Sequence, residues 1–77
     1  MQKHHKQFLK QLGGNIRQIR KEKGFSMEAL ANDAEIEYRQ LGRIERGEIN
    51  TTVGSLLVLS DVLEVDISSF FISKDSK

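Results

Sequence analysis

The hydrophobic residues of this chain recur mainly at steps of three and four, which is the spacing of an amphipathic α-helix. The first stripe consists of Phe8, Leu12, Ile16 and Ile19. It predicts a helix from about residue 6 to Lys23, stopped by Gly24. Gly13 and Gly14 inside it should each cost about 1 kcal/mol relative to alanine, so we expect the first two turns to fray or bend. Further along, Gly42 is either a site of close approach or a tolerated weakness.

Four shorter helices are predicted after the first. The second is MEALANDA at 27–34, and the third runs from about Glu37 to Arg46, where Gly47 is expected to end it in a left-handed conformation. A fourth helix follows, and a last short one ends at 70–71. The side chains that can cap the second, fourth and fifth helices are Ser26, Thr52 and Asp66. The predicted buried stripe of the fourth helix consists of Val53, Leu56, Leu57, Ser60 and Leu63.

No segment alternates with period two over a useful length, so we predict an all-α fold, a compact bundle of about five short helices. About three residues, centred on 34–36, separate the second helix from the third, which forces a tight turn and a steep crossing angle. This arrangement is a helix-turn-helix. We assign 1-11 to a basic N-terminal extension that continues into helix 1, 12-72 to the helix-turn-helix domain and 73-77 to a flexible tail.

Composition limits the function classes. The chain has no cysteine, no glycine-rich phosphate loop and no paired nucleophile and base, so we expect no enzyme activity, no cofactor and no metal. His4 and His5 could supply half of a metal site, but adjacent histidines at a loose terminus are more often solvated. The longest apolar run, LLVL at 56–59, is too short to cross a bilayer, so we expect a cytoplasmic protein without membrane contact.

Charge is sorted along the chain, although the net charge is only +1. Residues 1–26 hold seven Lys or Arg and one Glu, whereas residues 27–77 hold five Lys or Arg and ten Asp or Glu. Within the acidic part, the stretch EYRQLGRIERG at 37–47 places its arginines on one helical face and Leu41 and Ile44 on roughly the opposite one. The arginines are Arg39, Arg43 and Arg46. Their face is either a solvated surface or a surface offered to a polyanion.

Two motifs resemble the lambda-repressor-like (Cro/CI, or XRE) helix-turn-helix family. They are IRQIRKEKGFSMEALA at 16–31 and RIERG at 43–47, which match that family's pattern I-R-x-x-R-x-x-x-G-x-S-x-x-x-L-A and its I-E-x-G signature. The residues that match the apolar and small positions of the helix-turn-helix pattern are Leu30, Ala31, Ala34, Ile36, Leu41 and Ile44. The resemblance runs from 12 to 71 and implies a sequence-specific regulator of transcription that binds double-stranded DNA.

The resemblance also implies a role for individual residues. In that family the third helix enters the DNA major groove, and its outward N-terminal positions read base edges. The base-reading positions here are Tyr38, Arg39 and Arg43, with Glu37 and Gln40 at the margins. The N-terminus of the second helix faces the DNA backbone. The expected phosphate contacts are Ser26 and Met27, with Arg46, Asn50, Arg17 and Lys23 as further candidates. An internal ion pair between Arg20 and Glu45 is implied as well.

Three positions depart from the family pattern. Glu35 stands in the turn where many relatives carry glycine, and it should cost about 1–2 kcal/mol if its backbone is left-handed. Met27 stands where many relatives carry a glutamine that binds phosphate, so only backbone donors remain there. Glu37 replaces a small hydroxyl residue at the start of the third helix. Its charge suits the helix dipole, but it would either repel a nearby phosphate or select the amino group of a cytosine.

Apolar residues outside the buried stripes predict a homodimer. They lie near the C-terminal end and are Val58, Val62, Phe71 and Ile72, although Val62 also fits a core position. A dimer formed through them would place two third helices in successive major grooves of a palindromic operator, about 34–36 Å apart. The competing interpretation is an antitoxin-like protein-interaction module, in which the same fold binds a protein and DNA binding is secondary.

Overall fold

The computed structural model describes residues 3–72 of the chain, with side chains from residue 5 onward. The elements are four α-helices, α1 (Lys3–Glu22), α2 (Met27–Ala34), α3 (Tyr38–Glu45) and α4 (Val53–Leu63), and a short 3₁₀ helix (Ile67–Phe71). The part from residue 3 to residue 72 contains no strand, so the predicted all-α bundle is confirmed. The last predicted helix is a 3₁₀ helix rather than an α-helix. The tail proposed at 73–77 lies outside the described residues.

Side-chain caps set where three of the helices begin. Each cap residue accepts a hydrogen bond of 2.9 or 3.0 Å from a backbone N–H two or three residues further on. This bond satisfies one of the donors that the first helical turn leaves without a partner. The caps are those expected from the sequence, namely Ser26, Thr52 and Asp66.

The core is aliphatic, with one phenylalanine that is completely buried. α1 packs against α3 and the 3₁₀ helix, while α2 packs against both α3 and α4. This arrangement fixes α3 on its inner side and leaves its outer side open. The buried hydrophobic cluster consists of Leu12, Ile16, Ile19, Leu30, Ala31, Ala34, Leu41, Ile44, Leu56, Leu59, Leu63 and Phe70.

Two of the predicted buried stripes are partly wrong. In α1, Phe8 is 51% exposed and Leu9 is buried in its place. These two residues flank the stripe on either side, so helical spacing alone does not choose between them. In α4, Val53 is 67% exposed and Leu57 is 48% exposed, whereas Leu59 is fully buried. α4 carries apolar residues on nearly all sides, so its packing partners rather than its own pattern select the buried face.

The expected fraying at the start of α1 is not observed, because the helix runs unbroken through Gly13 and Gly14. Gly13 lies against the C-terminal end of α3. A Cβ atom there would be 2.6 Å from the carbonyl oxygen of Glu45 and closer still to that of Ile44. Gly47 makes a second such approach, since a Cβ atom on it would be 2.6 Å from the Cα of Lys10. The two glycines therefore bring the backbones of α1 and α3 together.

The turn of the helix-turn-helix is closed by a left-handed glutamate. Glu35 has φ of 56° and ψ of 42°, and its N–H donates to the carbonyl oxygen of Asn32 at 3.2 Å. Ile36 then donates to the carbonyl oxygen of Ala31 at 2.9 Å, which completes the C-terminal cap of α2. The left-handed geometry that glycine would suit is therefore present, and the steric cost expected at Glu35 applies. The turn keeps its shape without glycine because these two hydrogen bonds hold it.

Candidate nucleic-acid interface

Helix α3 is divided lengthwise between a buried face and an exposed face. Leu41 and Ile44 are buried in the core, and Gly42 and Glu45 are buried beside them. The exposed side chains are those of Tyr38, Arg39, Gln40 and Arg43. Tyr38, at the first helical position, is 58% exposed. The helical residues predicted to read bases are therefore all exposed, and together they make up the exposed α3 surface.

Glu37 stands at the N-cap position of α3 and is exposed. Its side chain makes no hydrogen bond to the first turn, although its carbonyl oxygen accepts a bond of 2.9 Å from the N–H of Leu41. The carboxylate thus adds charge at the helix N-terminus without capping it. This position is beside Tyr38, which puts the carboxylate at the edge of the exposed α3 surface.

The N-terminal end of α2 offers backbone donors to solvent. The N–H groups of Ala29 and Leu30 are bound by the side chain and carbonyl of Ser26, at 3.0 Å each. The N–H groups of Met27 and Glu28 have no partner within the helix, as the geometry of a helix start requires. Because the positive end of the helix dipole lies here as well, this end of α2 suits an anion. The side chain of Met27 is half-buried and packs against the core.

A buried ion pair fixes the far end of α3 to α1. The Nε of Arg20 donates to Glu45 at 2.7 Å, and a second nitrogen donates at 3.1 Å, so both carboxylate oxygens are engaged. Arg20 also donates to the carbonyl oxygen of Phe25 at 2.9 Å. The ion pair that the family resemblance implied is therefore present, and it holds the loop before α2 as well. Neither side chain is open to DNA.

Arg46, a candidate phosphate ligand, is bound by Glu48, which is not among the predicted site residues. Its Nε donates to Glu48 at 2.8 Å, and its Nη2 donates to the other carboxylate oxygen at 3.4 Å. Arg43 lies 4.0 Å from the same carboxylate. The hydrogen bond from Arg46 lowers the pKa of Glu48 from its ordinary value, and the same bond raises the pKa of Arg46. The sequence already shows an acidic residue directly after the RIERG motif, and this would have been enough to predict that Glu48 contacts its arginines.

The remaining phosphate candidates are exposed on separate elements. Arg17 lies in the second half of α1, Lys23 follows α1, and Asn50 lies in the connection between α3 and α4. Asn50 shares a groove of about 790 Å³ with His5. The side chain of His4 is outside the described residues, and no group of three His, Cys, Asp or Glu that could hold a metal occurs among those described. No described helix is both long and apolar enough to span a membrane.

The four residues predicted to form a dimer interface are at the surface or close to it. Val58, Phe71 and Ile72 are exposed, and Val62 is half-buried against the core. The structure adds an aromatic residue from the other end of the chain, because the ring of Phe8 stacks on that of Phe71 with centroids 6.1 Å apart. The assignment of Phe8 to the core concealed this contact. An exposed apolar surface therefore joins the start of α1 to the 3₁₀ helix.

Comparison with known proteins places this architecture in a family. The Helix-turn-helix family model HTH_3 matches residues 16–70. The HTH-type transcriptional regulator RamB of Mycobacterium tuberculosis is 42% identical over 64 residues, which cover 83% of this chain. The same match covers only 13% of RamB, so the chain spans a small part of that relative's length.

Solved structures agree in fold. The restriction-modification controller protein C.AhdI from Aeromonas hydrophila has a TM-score of 0.80 and 30% identity, covering 82% of this chain and 96% of C.AhdI. SinR, solved in complex with DNA, has a TM-score of 0.75 and 35% identity, covering 79% of this chain and 98% of that one. SinR has also been solved in complex with the protein SinI. The chain therefore belongs to the Cro/CI-like (XRE) helix-turn-helix family and carries its DNA-binding domain.

Proposed function

We propose that this chain is a cytoplasmic, sequence-specific regulator of transcription that reads the major groove with α3 and binds a roughly palindromic operator as a homodimer. The observation that carries the proposal is the division of α3. Its inner side is held by Leu41, Ile44 and the Arg20–Glu45 pair, while polar and cationic side chains cover its outer side. The site acts through its own side chains and backbone, so the proposal includes no cofactor.

Base reading is assigned to the exposed α3 surface. Arg39 and Arg43 lie one helical turn apart, so each can reach a different base pair and donate bidentately to a guanine. Tyr38 can pack on a thymine methyl group or bond a phosphate, and Gln40 can donate to and accept from an adenine. Glu37, beside them, can accept from the amino group of a cytosine. These five residues would determine the operator sequence.

Phosphate contacts would set the register of the protein on DNA. The free N–H groups at the start of α2, next to Ser26 and Met27, suit one phosphate. Arg17, Lys23 and Asn50 are exposed and can reach others, whereas Arg46 must first leave Glu48. Residues 1–26, about a third of the chain, hold seven cations against one acid, which favours DNA contacts from this segment.

Dimerisation is assigned to exposed apolar residues of α1, α4 and the 3₁₀ helix. Val58, Val62, Phe71 and Ile72 contribute to this surface, and Phe8 extends it through its stack with Phe71. Burial of such a surface against a second copy removes apolar area from water. A two-fold symmetric pair would present two α3 helices to half-sites about one helical turn of DNA apart.

The test is selection of bound duplexes from a random pool at physiological salt, followed by Arg43→Ala. The selection should enrich two inverted half-sites. Loss of a bidentate guanine contact should remove about 1–3 kcal/mol of discrimination at one operator position and leave the other positions unchanged. A pool with no enriched half-site would refute sequence-specific binding. An equal loss on all sequences would show that Arg43 contacts phosphate only.

A second candidate function is an antitoxin-like protein-interaction module. The observation that favours it is the groove of about 790 Å³ on the exposed apolar side. Its apolar lining consists of Phe8, Leu9, Leu12, Val53, Leu56 and Phe71. Salt separates the two functions, because DNA affinity should fall steeply as salt increases, whereas a protein interface led by apolar contacts should change little.

A further inference from the structure

The side chain of Arg46 is folded back along its own helix. Both oxygens of the Glu48 carboxylate accept hydrogen bonds from its guanidinium, at 2.8 and 3.4 Å. On the other side the guanidinium lies over Gly42, where a Cβ atom would be 3.0 Å from the Nη1 of Arg46. The guanidinium of Arg46 thus lies between the backbone of Gly42 and the carboxylate of Glu48.

The same carboxylate faces a second arginine of the proposed DNA surface. The Nε of Arg43 lies 4.0 Å from Glu48, at the limit of an ion pair. All three side chains are about half exposed, so solvent and DNA can reach them. The pKa of Glu48 is lowered by Arg46, so its carboxylate stays ionised at neutral pH. A constant negative charge therefore sits among the cations that the proposed function turns towards DNA.

We propose that Glu48 attenuates the sequence-independent affinity of this protein for DNA by holding Arg46 in an intramolecular ion pair. The inference rests on the proposed function, because it concerns the same surface. A carboxylate and a phosphate bind a guanidinium in the same bidentate geometry, so they compete for Arg46. A phosphate must either displace Glu48 or bind with that acid beside it, and both reduce the affinity. Of the base-reading residues only Arg43 approaches Glu48, at 4.0 Å and without a hydrogen bond, so base preference should depend on Glu48 much less than phosphate binding by Arg46 does.

Four proteins test the mechanism: the wild type, Glu48→Gln, Arg46→Gln and the double variant. Their affinities are measured over a series of salt concentrations on the selected duplex and on a shuffled duplex of equal length. Glu48→Gln should bind both duplexes about two- to tenfold more tightly, because it releases an exposed pair and removes a charge near phosphate. Its log–log salt dependence should steepen by about one phosphate contact, and the ratio of the two affinities should change much less than either affinity does. In the Arg46→Gln background most of the gain should disappear, because only the smaller part that comes from the removed charge remains.

A matched control separates the ion pair from net charge. Glu64→Gln makes the same change of charge at an exposed acid that ends α4. It should leave affinity nearly unchanged, and thermal melting should show that all variants are folded. Unchanged or weaker binding by Glu48→Gln would overturn the inference, as would an equal gain from Glu64→Gln or in the Arg46→Gln background. A wild type that binds no duplex at any salt would instead refute the proposed function, and this inference with it.

Discussion

Gly13 and Gly14 are neighbours in α1, yet alanine should have opposite effects at the two positions. Gly14 is exposed, and a Cβ atom on it would meet no atom within 4 Å. At Gly13 the added atom would meet backbone of α3, including the carbonyl oxygen of Glu45 at 2.6 Å. A carbonyl at the end of a packed helix cannot move aside as a flexible side chain can. α1 and α3 would have to separate.

The magnitudes follow from two opposing contributions. Replacing glycine by alanine inside a helix gains about 1 kcal/mol from helix propensity. Forcing extra atoms into a packed contact costs about 1–3 kcal/mol, and the approach at Gly13 is close enough for the upper end. Gly14→Ala should therefore raise the free energy of unfolding by about 1 kcal/mol, and Gly13→Ala should lower it by about 2 kcal/mol. In a domain of this size each 1 kcal/mol shifts Tm by about 4–8 °C.

Thermal and urea unfolding followed by far-ultraviolet circular dichroism measures both variants against the wild type. Gly14→Ala is the matched control, because it makes the same substitution one residue away in the same helix. A Gly13→Ala protein as stable as the wild type would refute the backbone contact between α1 and α3. If both substitutions raise the free energy of unfolding, helix propensity alone would determine their effects, which is what the sequence by itself suggests.

Three further substitutions test the buried ion pair, the turn between α2 and α3, and the cap of the 3₁₀ helix. Glu45→Gln leaves Arg20 buried without a charged partner. The free energy of unfolding, measured in urea, should therefore fall by about 3–5 kcal/mol. A loss below about 1 kcal/mol would contradict a structural role for the ion pair. Glu35→Gly relieves the left-handed strain at φ 56° and should raise the same free energy by about 1 kcal/mol, whereas a decrease would show that the glutamate side chain stabilises the turn. Asp66 accepts a hydrogen bond from the N–H of Ser68, which lowers the pKa of the Asp66 carboxyl group below its ordinary value of 3.8. The ionised carboxylate therefore stabilises the fold at pH values above 3.8, and this contribution is lost as the pH falls through the lower pKa of the folded state. Asp66→Asn should flatten the dependence of Tm on pH in that acidic range, and an unchanged profile would show that another group causes it.

Much of the fold follows from local chemistry. Three helices begin at positions that the local sequence determines, because a capping side chain bonds only to the next few residues. These capping residues are Ser26, Thr52 and Asp66. Short apolar spacing also located α2 and α3, and Gly47 has the predicted positive φ. The exposed and buried faces of α3 could be assigned because its apolar and charged residues are well separated around the helix. These parts of the structure need only the nearest residues in the chain.

Other features could not be assigned locally. Phe8 and Leu9 both fit the spacing of the buried stripe of α1. Leu9 is the one that is buried, because the elements packed against α1 cover its side of the helix. In α4 nearly every side is apolar, so its contacts with α2 and the 3₁₀ helix select Leu59 over Leu57. The ion pair between Arg46 and Glu48 joins residues close in sequence, but the guanidinium also lies over Gly42, four residues earlier in α3.

The sequence by itself determined the helices, their caps, the short turn between α2 and α3, and the residues that α3 presents outward. Each depends on spacing, backbone propensity or a hydrogen bond within a few residues. Only the tertiary structure decided that Gly13 and Gly47 are contact points, that Phe8 stacks on Phe71 and that Glu48 binds Arg46. The reason is physical: two backbones that approach closely, or a ring that finds a partner 63 positions away, depend on atoms that the local sequence does not specify.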